Sequence, residues 1–464
     1  MNDNRPLPED QPGFSEETSG PGPDLVDAVG EAVERGDSGR VEELVAPLHA
    51  ADTADLIEDM TAEERKQLLA MIGPKLDPET LTHIDGPLRP EITQLLGIKT
   101  VAHLLKGLDS DDAFEFFEDL SDKQQAKIFA RVPKTIQRFW QEGLQFPEDS
   151  AGRMMQREVV VVPNIWTVGE TIDFMRTHRR EIVSDFYDLY IVDPRYRPIG
   201  KVPLSRVLRN KRPVRVQKLL DDDIHPIPAN LDQEEVAHVF RQYSLVSAPV
   251  VNEVGRLVGV ITVDDVVHVI DEEAEEDLLK LGGVKEIDLY SDVLQTTRSR
   301  FSWLVLNLMT AIAASLVIGL FEGTIEQIVA LAVLMPIVAS MGGNAGTQAL
   351  TIAVRAIAMK DLSAGTARRF ITKEAAVGLL NGVLFAVLSG CVAIIWFGDL
   401  ALGAVIGAAM IVNMFVAGVF GTLIPITLER FKVDPAVASS IFLTTVTDVV
   451  GFFAFLGLAA VFLL

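Results

Sequence analysis

Residues 436–464 read AVASSIFLTTVTDVVGFFAFLGLAAVFLL, an apolar run broken by a single charged side chain, Asp448. A charge near the middle of a bilayer costs about 2.5 kcal/mol or more, so it persists where it faces a protein interior or a wet pathway. Ser440 and Thr444 precede it by two turns and one turn on the same helical face, and Gly451 follows at i+3. The stripe predicts a cation path through the membrane. The alternative is a protonated Asp448 tying two helices together.

Outward from this stretch, the 464-residue chain divides sharply. From Phe301 onward seven Lys or Arg stand against eight Asp or Glu, so nearly all of the net charge of −24 belongs to the first 300 residues. A spanning helix needs about 20 predominantly apolar residues, and five segments qualify: 301–321, 325–357, 375–397, 401–428 and 436–463. Arg298, Arg300, Arg355, Lys360, Arg368, Arg369, Lys373, Arg430 and Lys432 all fall on one side of these spans, which the positive-inside rule makes cytoplasmic. The opposite loops carry Glu322, Glu326 and Asp399. An odd number of spans then leaves the N-terminal half in the cytosol and the C-terminus outside. Residues 1–23 have no apolar core, exclude a signal peptide and read as a disordered tail. The lone Cys391, within the third span, reads as packing.

Residues 24–145 show short amphipathic helices, for instance 52–60, 62–72, 111–120 and 123–132, several preceded by Asp or Ser caps. The phrases 58–69 and 118–130 look alike, which suggests a helical repeat. A clearer duplication follows: 163–175 matches 228–240 at an offset of 65, and 189–208 matches 248–267 at an offset of 59. Each copy reads as a helix, strand, Gly-containing turn, strand and helix. The order and size of these elements resemble a pair of CBS domains, which often bind adenine nucleotides. The second copy holds Gly259, Thr262 and Asp265 in a spacing similar to the element by which such domains hold ribose, whereas the first has Gly200, Pro203 and Arg206. The resemblance therefore allows at most one nucleotide site, for ATP at Thr262 and Asp265; the alternative is a purely structural pair.

Between the soluble half and the membrane, Asp264, Asp265, Asp271, Glu272, Glu273, Glu275, Glu276 and Asp277 place eight carboxylates in fourteen residues. Like charges at this density repel. Solvent and surface cations relieve such repulsion in most proteins. Here the position between a regulatory module and a pore favours hard divalent cations, since Mg2+ keeps its waters and accepts one or two carboxylates per site. Asp111 and Glu115 stand at i and i+4 on one helix, and Asp232 and Glu234 open a helix of the second CBS-like copy.

The second apolar segment contains MPIVASMGGNAGTQAL over 335–350. Pro336 and glycines 342, 343 and 346 predict a broken helix whose freed carbonyls face an ion path, with Asn344, Thr347 and Gln348 among them; close packing of small residues is the alternative. Together with 255–265, 433–436 and 447–451, this segment makes the chain resemble the MgtE family of magnesium channels over nearly all of its length. The resemblance implies a multidomain fold: an all-α N domain (24–145), an α/β CBS pair (149–211 and 212–270), an acidic connecting or plug helix (271–299) and an all-α membrane domain of five helices (300–464). It further implies a homodimer in the bacterial inner membrane, with a pore on the two-fold axis. There Asp448 would hold hydrated Mg2+, and Asn344, Gly343, Thr444 and Ser440 would line the path. Cytosolic Mg2+ would close the pore through Asp111, Glu115, Asp232, Glu234, Asp265, Glu273, Glu276, Asp277 and Asp434. Ser244 and His268 depart from this pattern, at positions where family members can carry acids, which predicts weaker sensing; a neutral imidazole is a poor partner for Mg2+.

The expected function is passive Mg2+ uptake driven by the membrane potential. A proton-coupled divalent cation transporter is the nearest rival, disfavoured by the absence of a second intramembrane acid. A membrane-anchored nucleotide or metal sensor is another. The soluble half shows no catalytic constellation, its seven His are scattered without metal-binding spacing, and its negative charge repels nucleic acid.

Overall fold

The structure, a computed structural model, describes residues 21–178, 186–284, 293–360, 362 and 364–464. Most of the expected tail, and 285–292 of the expected connecting helix, lie outside the described residues. The chain forms two compact units, Met1–Ile270 and Asp271–Leu464.

The N domain is built only of helices among its described residues, from Pro23–Glu34 to Lys134–Gly143. Its core buries Leu56, Leu68, Phe114, Phe116 and Trp140, with Trp140 stacked on Phe117. The two similar phrases fold alike. Thr61 and Glu64 close a capping box at the start of Ala62–Ile72, and Ser121 and Gln124 do so at Asp122–Phe129. One residue later, Arg65 Nη2 donates to Glu58 O and Gln125 Nε2 to Glu118 O. The repeat is thus a shared helix-entry device.

The CBS pair consists of two equivalent three-stranded sheets. In the first, β1 (Val161–Pro163) runs parallel to β2 (Asp188–Val192), which is antiparallel to β3 (Pro198–Pro203). In the second, β4 (Ile227–Pro228), β5 (Ser247–Val251) and β6 (Leu257–Thr262) repeat that order. The β2–β3 and β5–β6 turns match closely: Asp193 Oδ1 accepts from Arg195 N and Arg197 N, and Asn252 Oδ1 from Val254 N and Arg256 N. The first turn lacks the expected glycine. Tyr196 takes the left-handed conformation (φ 63°) that Gly255 takes in the second (φ 77°). The copies join through a buried network in which Asp188 Oδ2 accepts from Lys201 Nζ at 2.8 Å and Ser247 Oγ at 2.9 Å, with Tyr190 Oη 2.6 Å from Ser247 Oγ.

A single helix, Val263–Gly282, runs through the expected boundary at 270/271. Five further helices are long and apolar enough to span a membrane: Val293–Gly319, Ala330–Ala358, Ala364–Phe397, Leu400–Arg430 and Pro435–Phe462. The fourth is the most buried and the first the least. Two expectations need correction. The second helix is continuous through Pro336 rather than broken. Glycines 342 and 346 serve close packing instead: a Cβ at Gly342 would strike the Asn413 amide, one at Gly346 would lie 2.9 Å from Leu443 Cδ1, and one at Gly421 of the fourth helix 2.7 Å from Gly346 O. The third helix also begins earlier than expected, so Glu374 falls inside it and is 7% exposed. A second acid therefore does lie in a spanning helix.

Candidate functional site

Asp448 is half-buried on the fifth membrane helix, in line with half-buried Ser440 and Thr444. The Thr444 hydroxyl donates to its own helix, at Ser440 O and Ile441 O, and its oxygen keeps its capacity to accept. On the second helix Asn344, Thr347 and Gln348 form an exposed polar face, and Gly343 has open space where a Cβ would project. These two helices pack directly, Gly346 on Leu443. Both also press on one residue of the fourth helix, Asn413, which is fully buried. Its Nδ2 donates to Val338 O at 2.8 Å, and a Cβ at Gly342 or at Gly451 would collide with its amide. Sequence reasoning missed Asn413; its one signal is an amide in an otherwise apolar run.

In the first compact unit the structure brings Asp111 and Asp265 together and adds Asp112. Asp111 is buried, and its Oδ1 has no hydrogen-bond partner among the described residues. Burial, reinforced by Asp265 and Asp112, raises its pKa well above the usual carboxylate range. Burial and the Asp265 charge push Asp112 up to about 7. Asp265 is pushed up to about 6, chiefly by burial, although Thr262 donates to its Oδ2 from Oγ1 at 2.8 Å and from N at 3.3 Å. A buried acid beside two half-buried ones suits a hard cation that keeps part of its water. Among the described residues, no three His, Cys, Asp or Glu side chains converge on a closed metal site. Glu115 points elsewhere, pairing with Arg89 at 2.9 Å. Asp232 is exposed and caps the helix Gln233–Tyr243 through Glu234 N, and Glu234 is exposed in its first turn. Ser244 closes that helix in a left-handed conformation, and His268 is exposed. The His are less scattered than the sequence suggests, since the His49 and His83 rings lie 6.4 Å apart.

At the far end of Val263–Gly282 a second acidic group gathers. Glu276 and Asp434 both bind Lys280 Nζ, at 2.6 and 2.8 Å. Asp434 also caps the last membrane helix, accepting from Ala436 N. Burial, with the Asp434 charge next, raises the Asp277 pKa. Glu273 is half-buried about one turn earlier.

Three segments match family profiles: 335–458 the MgtE divalent cation transporter, 48–149 the MgtE intracellular N domain and 216–272 the CBS domain. The chain is 32% identical over 455 residues to the magnesium transporter MgtE of Thermus thermophilus, covering 95% of this chain and 98% of that one. It is 30% identical over 426 residues to the magnesium transporter MgtE of Bacillus subtilis, covering 90% and 93%. Among solved structures, the cytosolic domain of the Mg2+ channel MgtE in complex with ATP is 26% identical, with a TM-score of 0.49, over 53% of this chain and 99% of that one.

Proposed function

Because the chain belongs to the MgtE family of magnesium transporters, we propose that it conducts Mg2+ passively, down the membrane potential, and that cytosolic Mg2+ closes it. The observation that carries this reading is Asp448, half-buried on a polar stripe of the last membrane helix, which packs through Leu443 on Gly346 of the helix that carries Asn344. One carboxylate binds a hydrated dication weakly. Two of them facing across a homodimer axis match its charge and leave its water in place. A potential of 100 mV contributes about 2.3 kcal/mol per unit charge, roughly twice that for a dication, which suffices for uptake without ATP hydrolysis.

The sensor reading is supported by buried Asp111 and half-buried Asp112 and Asp265, whose carboxylates repel until a cation or protons neutralise them. Glu273, Glu276, Asp277 and Asp434 extend it to the connecting helix, and Glu115, Asp232 and Glu234 add negative potential. The N-terminal half is cytoplasmic in this reading, and the membrane is the bacterial inner membrane. Thr262 and Asp265 stand together as a ribose-holding pair would, so the proposal includes ATP at the second CBS copy. Glu374, buried in the third helix, gives the proton-coupled rival a second acid.

The test is Mg2+ flux into proteoliposomes of wild-type protein and Asp448→Ala, with Mg2+ and pH varied on the face bearing the N-terminal half. Potential-driven flux that the substitution abolishes and internal Mg2+ suppresses supports the gated channel. Unchanged flux in Asp448→Ala removes the pore, indifference to internal Mg2+ removes the sensor, and flux that requires a pH gradient selects the proton-coupled rival.

A further inference from the structure

We infer that Asn413 is a positioning residue of the conduction path: it fixes the approach of the second and fifth membrane helices at the turns that carry Asn344 and Asp448, and so sets which divalent cations pass. This rests on the pore reading above. Asn413 belongs to the fourth helix, whose neighbouring buried positions Ile406, Met410, Met414 and Ala417 are apolar. Its amide reaches both partners at once. Nδ2 donates to Val338 O at 2.8 Å, tying it to the second helix one turn before Gly342. Gly342 is two residues from Asn344, and a Cβ there would strike the amide. On the other side, a Cβ at Gly451, three residues past Asp448, would lie 2.7 Å from Nδ2 and 3.1 Å from Oδ1.

Two glycines on different helices therefore keep clear of one side chain. Stability alone does not explain that choice. Oδ1 is buried without a partner among the described residues, a free-energy cost that a leucine of similar volume would avoid. What the amide supplies is a directional tie to Val338 and a flat profile between the glycines, and both act on spacing. A hydrated cation is sensed through distances between oxygens, so a small change in helix separation alters selectivity before it alters folding.

The test uses full-length protein in proteoliposomes and compares Mg2+ with Co2+ flux in Asn413→Leu, Asn413→Ala, Gly451→Ala, the Asn413→Ala/Gly451→Ala pair and Asp448→Ala, with thermal unfolding in detergent alongside. Asn413→Leu is expected to unfold within a few degrees of wild type while its Mg2+/Co2+ flux ratio falls about tenfold. Gly451→Ala moves the ratio in the same direction, and the pair restores part of it because removing the amide makes room for the methyl. If Asn413→Leu does not fold, Gly451→Ala and the pair decide. A wild-type ratio in Asn413→Leu and Gly451→Ala, with flux abolished in Asp448→Ala, overturns the role of Asn413 and leaves the pore intact. Unchanged flux in Asp448→Ala overturns both.

Discussion

Lys280 Nζ lies 2.8 Å from Asp434 Oδ2, so a fixed ammonium joins the helix Val263–Gly282 to the cap of the last membrane helix. Glu276 completes the group at 2.6 Å. Burial opposes this charge, but the hydrogen bonds to Asp434 and Glu276 outweigh it and hold the lysine pKa above its usual value. Two acids expected to serve the Mg2+ sensor thus already share a built-in cation. Leu281, at the end of the same helix, packs beside Leu350, Val354, Ala436 and Leu443, which gives this contact an apolar footing.

Lys280→Met should loosen that joint. Partly exposed ion pairs contribute about 0.2–1 kcal/mol each, so the closed arrangement weakens by up to about fivefold when internal Mg2+ is low. Flux at nanomolar internal Mg2+ is expected to rise accordingly, with Lys280→Arg within about twofold of wild type. Equal flux in Lys280→Met and wild type would show that the pair does not hold the pore shut.

The carboxylates of Asp111, Asp112 and Asp265 predict a pH dependence of opposite sign to that of an ordinary salt bridge. All three pKa values are raised, Asp112 to about 7 and Asp265 to about 6, first by burial and then by neighbouring carboxylates: Asp265 acts on Asp111 and Asp112, and Asp264 and Glu115 act on Asp265. The folded state therefore holds more protons than the unfolded chain between about pH 4 and 7. The stability they contribute is complete below their ordinary pKa of about 4 and is lost as pH rises through 6 and 7. In EDTA, the full-length protein in detergent should unfold at a higher temperature at pH 5.5 than at 7.5. Mg2+ at pH 7.5 should recover the difference. Asp112→Asn should raise the midpoint at pH 7.5 and flatten both responses; a midpoint that falls in Asp112→Asn would contradict the repulsion.

The layout was legible in the sequence because its signals are local. Hydropathy over some 20 residues marks each span, the offsets of 65 and 59 mark the CBS duplication, and Thr61 and Ser121 announce their capping boxes three residues ahead of Glu64 and Gln124. What the sequence could not show depends on contacts between distant segments. Asp112 points to a different sector of its helix from Asp111 and Glu115, so spacing alone gives no reason to group it with Asp265. Asn413 has no periodic signature, and its meaning comes from glycines 342 and 451 on two other helices. Pro336 suggested a break, but a proline removes one hydrogen bond, and packing against neighbouring helices carries the second helix through it.

The joint between the CBS copies gives a stability prediction independent of ions. Asp188 is 7% exposed at its side chain and holds both Lys201 and Ser247. Removing one partner of such a buried pair costs about 3 kcal/mol or more, because the remaining charge stays buried. Asp188→Ala should therefore lower the thermal midpoint by several degrees. Asp188→Asn, which keeps an acceptor for Ser247, should cost about half as much. A midpoint unchanged in Asp188→Ala would place the joint's stability in the apolar contact of Tyr190 and Val192 with Leu257 and Val260.

Glycines 343 and 346 offer a test that separates packing from the proposed conduction within one helix. A methyl at Gly346 would lie 2.9 Å from Leu443 Cδ1 and 3.1 Å from its Cγ, so Gly346→Ala forces the second and fifth helices apart at a cost of about 1–3 kcal/mol. A methyl at Gly343 meets nothing within 4 Å and projects beside Asn344 on the exposed polar face. Helix propensity even favours it, alanine gaining about 0.8–1 kcal/mol over glycine in a helix interior. Gly343→Ala should hold or raise the thermal midpoint in detergent while reducing Mg2+ flux several-fold, because the added methyl narrows the face that water and cation share. Gly346→Ala should lower the midpoint. If instead Gly343→Ala conducts Mg2+ as wild type does, the face carrying Asn344 does not border the ion path, and the pore must be assigned to the Asp448 stripe alone.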